Sequence, residues 1–356
     1  MKKHNYSAGP CILPQEVFEK SAQAILNFND SGLSILEISH RSKDFVAVMD
    51  EARALALELL GLEGKGYSAL FLAGGASLEF LMVPYNLMKE GGKAAYLDTG
   101  TWASGAIKEA KLFGETVIVA SSKDQNYNHI PKGYTIPQDA NYLHCTSNNT
   151  IFGTQMKEFP SVDIPLVCDM SSDIFSRQLD FSQFDIIYAG AQKNMGPAGT
   201  TLVIIKEEIL GKNGRVIPSM LDYAKHIKAE SMYNTPAVFP VYASLLTLQW
   251  LKKLGGIAAI EKINNAKASL LYNEIDRNPL FKGAAAIEDR STMNATFLLN
   301  DEAHAATFDA MWKAAGISGL PGHRSVGGYR ASMYNALPLE SVQVLVDLMK
   351  ELESKI

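Results

Sequence analysis

The sequence has few cysteines and no basic excess. Its three cysteines, Cys11, Cys145 and Cys168, stand far apart and form no CxxC pair, which argues against a zinc ribbon and a disulfide framework. We therefore predict no metal site and a reducing compartment, the cytoplasm. The formal net charge is -5, and the chain shows no local basic patch of the kind that binds nucleic acid or an anionic membrane.

Long apolar runs and nucleotide-binding turns are also missing. No apolar stretch reaches the length of a membrane span without charge, and residues 1–10 lack the apolar region of a signal peptide. Neither the GxGxxG turn of nicotinamide dehydrogenases nor the lysine-ending phosphate loop GxxxxGK[ST] occurs. These absences leave chemistry on a small molecule as the expected function.

What is present is the pattern of an α/β protein. A chain of 356 residues suits two domains with separate apolar interiors. From residue 67 onward, short β-branched runs alternate with longer amphipathic stretches, which is typical of a mostly parallel sheet with helices on its faces. Seven strands are predicted: 67–72, 94–98, 116–120, 141–145, 165–169, 185–189 and 201–205.

The alternation weakens after residue 206. Helices are predicted at 241–254, 257–276, 302–315 and 339–354, with a strand at 295–299 and a glycine-rich segment at 316–328. This content indicates a smaller α+β unit. We expect a large domain over 15–255 and a small domain that joins 256–356 to the N-terminal segment 1–14.

A lysine follows the sixth predicted strand, in a turn of small residues. Residues 188–199 read YAGAQKNMGPAG, with the lysine at Lys193. A lysine that is shielded from water loses its proton more readily and becomes a nucleophile for a carbonyl carbon. A lysine alone is more often an exposed surface residue, so this interpretation depends on the surrounding sequence.

Other strand ends carry polar or aromatic residues. Asp169 ends a predicted strand, where it could keep a pyridine nitrogen protonated or cap a helix. Trp102 follows another strand end and suits either a cofactor ring or the core. The glycine turn at 72–77 joins a strand to a helix and offers N–H groups to a phosphate, although taken by itself it is more often a plain tight turn, because glycine is common there.

Basic residues occur in two clusters, near each end of the chain. The first is His40 with Arg41, and the second is His323 with Arg324, followed by Arg330. Arginine binds carboxylates and phosphates through two parallel hydrogen bonds, so a doubly anionic substrate would use several such groups. Separate surface charges are the alternative.

Together these segments resemble the phosphoserine aminotransferases, a family of class V aminotransferases with the fold type I architecture. The resemblance covers nearly the whole chain. It rests on motifs at residues 7–10, 13–14, 39–41, 74–75, 102, 107–110, 188–193, 234–236, 322–324, 327–328 and 330–335.

The resemblance implies pyridoxal 5'-phosphate as cofactor and a role for each matching residue. Lys193 would bond the cofactor aldehyde, Asp169 would meet the pyridine nitrogen, and Trp102 would stack on the ring. Thr150 would hydrogen-bond the phenolic oxygen. The cofactor phosphate is expected against five residues, the last two from the other subunit of a homodimer with shared active sites: Ala76, Ser77, Gln192, Asn234 and Thr235.

The resemblance also implies the reaction, a reversible transfer of the amino group from L-glutamate to 3-phosphohydroxypyruvate that gives O-phospho-L-serine and 2-oxoglutarate in serine biosynthesis. Some relatives also use the 4-phosphohydroxythreonine couple of pyridoxine biosynthesis. Arg330 would hold the substrate α-carboxylate. The substrate phosphate, or the side-chain carboxylate of glutamate, would meet four residues: His40, Arg41, His323 and Arg324.

One turn departs from the family pattern. Some members have Gly-Arg-Gly-Gln where residues 76–79 read Ala-Ser-Leu-Glu, so contacts made by that arginine are absent, although backbone N–H groups can still hold a phosphate. Glu79 would repel a phosphate, so we expect its side chain to face away from it.

Two other classes of function compete with this interpretation. Another class V activity, such as alanine–glyoxylate transamination or cysteine desulfuration, is one, but the desulfurase needs a mobile cysteine and Cys145 and Cys168 lie in predicted strands. A non-catalytic relative that keeps the fold is the other. It would be expected to lack Lys193, Asp169 or the arginines, and all are present.

Overall fold

The computed structural model describes residues 3–356, and all statements on structure refer to these residues. The strands, in chain order, are β1 His4–Asn5, β2 Tyr67–Leu72, β3 Lys93–Asp98, β4 Glu115–Ser121, β5 Leu143–Thr146, β6 Asn148–Asn149, β7 Thr154–Gln155, β8 Leu166–Asp169, β9 Ile186–Gly190, β10 Thr201–Lys206, β11 Phe281–Gly283, β12 Asn294–Leu299, β13 Ile317–Ser318 and β14 Tyr329–Ser332. The α-helices are α1 Gln15–Leu26, α2 Lys43–Leu60, α3 Gly75–Leu87, α4 Thr101–Ala110, α5 Ala191–Asn194, α6 Tyr223–Lys228, α7 Val238–Leu254, α8 Gly256–Arg277, α9 Ala305–Ala314 and α10 Leu339–Ser354.

The seven predicted strands form one sheet, in the order β2-β10-β9-β8-β5-β3-β4. Strand β10 runs antiparallel to both neighbours, and the remaining pairings are parallel. Each predicted strand overlaps its counterpart, with bounds that differ by at most two residues. The mostly parallel α/β sheet is therefore confirmed.

Helices cover both faces of this sheet. On one face, α2 packs against α7, and their apolar residues share a core with Leu143, Cys168 and Ile187 of the strands. On the other face, α3 and α4 pack against alternate residues of the same strands. Strands buried on both faces read as nearly continuous apolar runs, which is why the sequence identifies them.

The ends of helix α2 follow its sequence signals. The hydroxyl of Ser42 accepts a hydrogen bond from the N–H of Phe45 at the start. Gly61 ends the helix with φ 64°, a backbone conformation that glycine adopts without steric strain. The chain then turns into β2.

A second apolar core lies in the C-terminal part of the chain. It joins α8, α9 and α10 to the antiparallel sheet β11-β12-β14. Tyr6 and Ile12 are buried in the same core, and β1 pairs in parallel with β13. The strand and the four helices predicted after residue 206 all occur, with ends shifted by up to three residues, and the first of these helices, α7, packs on the large sheet instead.

No helix among residues 3–356 combines the length and the apolarity that a membrane span requires.

Candidate active site

Lys193 lies at the carboxyl edge of the large sheet. It belongs to α5, which follows β9 directly, and its Nζ donates a hydrogen bond to Thr150 Oγ1 at 2.8 Å. Gly9 supports this position from the N-terminal segment: a Cβ added there would lie 3.3 Å from Lys193 Cγ, and its φ of 148° also disfavours a side chain. The lysine side chain is thus held between two distant parts of the sequence.

The charge state of Lys193 is shifted towards the neutral amine. Loss of hydration around the ammonium lowers the pKa of Lys193 to about 8. The positive charge of Arg330 adds to this effect, whereas the carboxylate of Asp169 opposes it. A substantial fraction of the side chain is therefore available as a nucleophile near neutral pH.

Asp169 ends β8, the neighbour of β9 in the sheet. Its Oδ1 accepts a hydrogen bond from the N–H of Ser171 at 2.9 Å. Burial raises the pKa of Asp169, and Lys193 opposes that rise. The carboxylate is therefore a buried anion that a cationic partner would stabilise.

Trp102 lies in the first turn of α4, after β3. The Nζ of Lys193 lies 5.6 Å from the centroid of its ring, and the side chain is 39% exposed. One face of the indole can therefore accept a flat ring beside Lys193, as aromatic side chains do with ligand rings.

The turn after β2 opens a helix, as predicted. Helix α3 begins at Gly75, so the N–H groups of Ala76 and Ser77 lie in its first turn, where they have no partner within the helix. Ala76 is half-buried and Ser77 is exposed. Gln192 lies next to Lys193 in α5, and its side chain contacts Gly190 closely enough to exclude a Cβ there.

Glu79 is fully buried at the first turns of α3. Its Oε2 accepts a hydrogen bond from the hydroxyl of Tyr223 at 2.5 Å. Burial raises the pKa of Glu79 to about 8, and the bond from Tyr223 limits that rise. The side chain therefore points into the core towards α6, and near neutral pH it is mainly protonated.

The C-terminal basic residues lie near one another, and one of them, Arg330, lies near Lys193. Arg330 is in β14, close enough to influence the pKa of Lys193, and burial lowers its own pKa. Partial burial, Arg330 and Arg324 together lower the pKa of His323. The two arginines therefore contribute positive charge to this region, in which the lowered pKa favours the neutral form of His323.

Four predicted site residues do not join this group within one chain. His40 and Arg41 make no hydrogen bond or ion pair to Lys193, Asp169 or Arg330 among residues 3–356. The same holds for two exposed residues, Asn234 and Thr235, whose one polar contact is between Asn234 Nδ2 and Thr235 O at 3.3 Å.

Sequence reasoning missed two buried polar residues at this edge. Asp173 accepts hydrogen bonds from Gln155 and from Arg177, the latter at 3.0 Å, and its Oδ1 accepts a short one from Ser147. Thr146 lies directly beside Asp169 in the parallel register. Asp173 lies only four residues beyond Asp169, and this spacing could have identified it from the sequence as a residue of the site.

These residues fit pyridoxal phosphate by their hydrogen-bonding needs. Thr146 Oγ1 and Arg330 Nε are buried without a partner among residues 3–356, and buried polar groups normally have one. Asp169 suits a protonated pyridine nitrogen, Trp102 suits its ring, and the start of α3 suits a phosphate. A planar ring with a phosphate and an aldehyde matches this donor and acceptor set.

Comparison with known proteins agrees with this geometry. The Aminotransferase class-V family model matches residues 4–345. A phosphoserine aminotransferase of Flavobacterium psychrophilum is 86% identical over the full length of both chains. The solved phosphoserine aminotransferase of Bacillus circulans subsp. alkalophilus is 44% identical over 99% of each chain, with a TM-score of 0.96.

A third relative has its cofactor bound. The phosphoserine aminotransferase of Trichomonas vaginalis, solved with pyridoxal phosphate, is 36% identical over 98% of this chain and 100% of its own, with a TM-score of 0.92. The chain belongs to the class-V aminotransferase family, among the phosphoserine aminotransferases, and it is a pyridoxal-phosphate-dependent transaminase.

Proposed function

We propose that the enzyme transfers the amino group of L-glutamate to 3-phosphohydroxypyruvate, forming O-phospho-L-serine and 2-oxoglutarate. The observation that carries this proposal is the position of Lys193. Its Nζ has a pKa lowered to about 8 and lies 2.8 Å from Thr150 Oγ1, with Asp169 and Arg330 both near enough to influence it. A nucleophilic amine, an anion and a cation are thereby held at one sheet edge.

The chain's residues would hold the cofactor on all sides. Asp169 would face the pyridine nitrogen, Trp102 would cover one face of the ring, and Thr150 would bond the phenolic oxygen. The phosphate would lie against three residues near the start of α3 and beside the lysine: Ala76, Ser77 and Gln192. When bound, pyridoxal phosphate supplies an aldehyde for Lys193 and an electron sink for the substrate.

Lys193 would act twice on the substrate side. As a neutral amine it would be the group that bonds the cofactor aldehyde, and once free of it, it would take the proton from the substrate α-carbon as a general base. A pKa near neutrality suits both roles, since a protonated lysine could do neither. Arg330 raises the neutral fraction by repelling the ammonium form.

Substrate recognition would divide among the basic residues. Arg330 would bind the α-carboxylate by its guanidinium fork. His323 and Arg324 would receive the phosphate of one substrate or the side-chain carboxylate of the other, together with His40 and Arg41. A site built to pair with a phosphate should reject pyruvate, because its cations would stay unpaired.

The assembly would be a homodimer with shared sites. Asn234 and Thr235 are exposed and do not bond to the lysine region of their own chain, which supports a role in the other subunit's phosphate site. We also propose the cytoplasm as location. Cys145 and Cys168 lie directly opposite each other on neighbouring strands as free thiols, an arrangement suited to reducing conditions.

The separate apolar cores support a division into domains. We propose a large domain over residues 15–255 and a small domain over 256–356 that includes the N-terminal segment 1–14. Tyr6, buried in the C-terminal core, supports the inclusion of that segment.

The test is a product assay with the purified holoenzyme. Glutamate and 3-phosphohydroxypyruvate should give phosphoserine and 2-oxoglutarate in equal amounts, and pyruvate should replace the phosphorylated acid poorly. Equal turnover with pyruvate would contradict the proposed substrate. Size measurement in solution tests the dimer, and mixing two inactive variants, Lys193→Ala and Asn234→Ala, should restore activity only if sites are shared.

A further inference from the structure

A small apolar cluster joins the loop that carries His323 and Arg324 to the segment after β4 and to the turn between β6 and β7. Tyr127, Ile151 and Phe152 form this cluster, and Val326 packs against it. The rings of Tyr127 and Phe152 are 4.9 Å apart, at 52° to each other. Val326 is the sole large apolar side chain in residues 322–328, so it is the loop's anchor to the rest of the molecule.

The loop is closed by its own backbone. The N–H of Gly322 bonds to the oxygen of Gly328 at 2.8 Å, which fixes the base. At the tip, the N–H groups of Val326 and Gly327 both bond to the oxygen of His323, at 2.9 and 2.8 Å. Moving Val326 would therefore move the basic tip with it.

Tyr127 is held in an unfavourable backbone conformation. Its φ is 55°, and that of Asn126 before it is 53°. A bulky side chain in this left-handed region is rare and strained, and such residues cluster at functional positions. The N–H of Tyr127 bonds to the oxygen of Ser122 at 2.8 Å, which secures the turn.

The hydroxyl of Tyr127 reaches a second element of the site. It lies 3.3 Å from both carboxylate oxygens of Asp98 and 3.1 Å from the hydroxyl of Ser104. Asp98 ends β3 and bonds to Ser104 at 2.7 Å, and Ser104 lies in the first turns of α4, the helix that carries Trp102.

We propose that Tyr127 is a positioning residue for substrate specificity, which holds the loop of His323 and Arg324 at a fixed distance from the helix of Trp102. Its ring belongs to the cluster against which Val326 packs, and its hydroxyl contacts Asp98 and Ser104 at the start of α4. The inference rests on the proposed function, in which the loop binds the substrate phosphate and Trp102 the cofactor ring.

The apolar contact at Val326 and the hydrogen bonds of the Tyr127 hydroxyl can be tested separately. Val326→Ala removes the apolar anchor and keeps Tyr127, so KM for 3-phosphohydroxypyruvate should rise about fivefold, since a mobile loop must be ordered on binding. In contrast, kcat should stay within about twofold of the wild-type value. Val326→Ile keeps a large apolar side chain at this position and should behave as the wild type. Val216→Ala, at an exposed valine, is the matched control.

Tyr127→Phe keeps the ring and removes the hydroxyl. It should leave KM for the phosphorylated substrate unchanged and weaken binding of pyridoxal phosphate to the cofactor-free enzyme, measured by equilibrium titration. Hydrogen exchange of the amides in residues 322–328 gives a readout independent of turnover. It should quicken in Val326→Ala and not in Tyr127→Phe.

Unchanged exchange and unchanged KM in Val326→Ala would overturn the inference. Equal losses of kcat in Val326→Ala and Val326→Ile would also overturn it, because they would indicate a structural defect instead. If wild-type enzyme fails to use 3-phosphohydroxypyruvate, the proposed function fails, whereas the exchange experiment still decides whether Val326 anchors the loop.

Discussion

Lys193 Nζ lies 2.8 Å from Thr150 Oγ1, a contact between helix α5 and the turn that joins β6 to β7. The hydroxyl gives the amine a fixed direction without adding a charge beside it. That is useful because a carboxylate in the same place would raise the pKa of the lysine, and a neutral amine is needed.

Thr150→Val should lower kcat by about tenfold, because the amine loses one hydrogen-bond partner and its orientation. Thr150→Ser, which keeps the hydroxyl, should retain most of the activity. Steady-state kinetics with both substrates checks this, with circular dichroism as the control for folding. Equal kcat in both variants would contradict a role for the hydroxyl.

The pH dependence of Lys193 gives a second prediction. In the cofactor-free protein its labelling by an amine-reactive reagent should rise through a pH of about 8, since only the neutral form reacts and its pKa is lowered to that value. Asp169 raises the lysine pKa, so Asp169→Asn should shift the midpoint lower. Peptide mass spectrometry measures the labelling, and a midpoint that moves upward would show that the two side chains do not interact as described.

Arg324 should determine how strongly the enzyme prefers a keto acid that carries a phosphate. Arg324→Gln should raise KM for 3-phosphohydroxypyruvate by at least about tenfold, the effect of losing one charge-assisted hydrogen bond. A keto acid without a phosphate should be affected much less. Arg277→Gln serves as the control, since that arginine pairs with Glu274 and Glu353 instead. Equal losses for both keto acids would argue against phosphate recognition by Arg324.

Glu79 should make stability fall as pH rises. Its folded pKa of about 8 is above the ordinary value of 4.5, so the folded state binds the proton more tightly than the unfolded state. The decrease in the free energy of unfolding that Glu79 causes is absent below about pH 4.5, grows between these two pH values and is complete above about pH 8.

Glu79→Gln should therefore increase the free energy of unfolding at pH 8.5, on the order of a few kcal/mol, and have little effect at pH 4.5. Urea unfolding at both pH values and one protein concentration measures the difference. Glu63→Gln, at an exposed glutamate, controls for a loss of surface charge. An increase that is equal at both pH values would show that Glu79 does not titrate in this range.

The large sheet could be predicted because its strands are buried on both faces. Runs such as Tyr67–Leu72 and Thr201–Lys206 contain mostly apolar residues bounded by glycine or charge. The hairpin of β6 and β7 was missed, because its Asn148 and Gln155 are polar and buried by partners distant in sequence, such as Asn294. Local pattern carries no information about such partners.

The site was predictable only in part for the same reason. The resemblance named Lys193, Asp169 and Arg330, and the structure brings Asp169 and Arg330 within electrostatic reach of Lys193. Glu79 was expected to face away from a phosphate, and its burial against Tyr223 was not predicted. The roles of His40, Arg41, Asn234 and Thr235 stay predictions, because one chain does not bring these residues to Lys193.

The visible absorption spectrum of the purified protein during two additions tests the proposed function most directly. A yellow band should be present, glutamate should bleach it, and 3-phosphohydroxypyruvate should restore it while pyruvate does not. Lys193→Ala should remain folded and fail to complete this cycle. A protein that stays colourless after pyridoxal phosphate is added, or a band that pyruvate restores equally well, would contradict the proposed reaction.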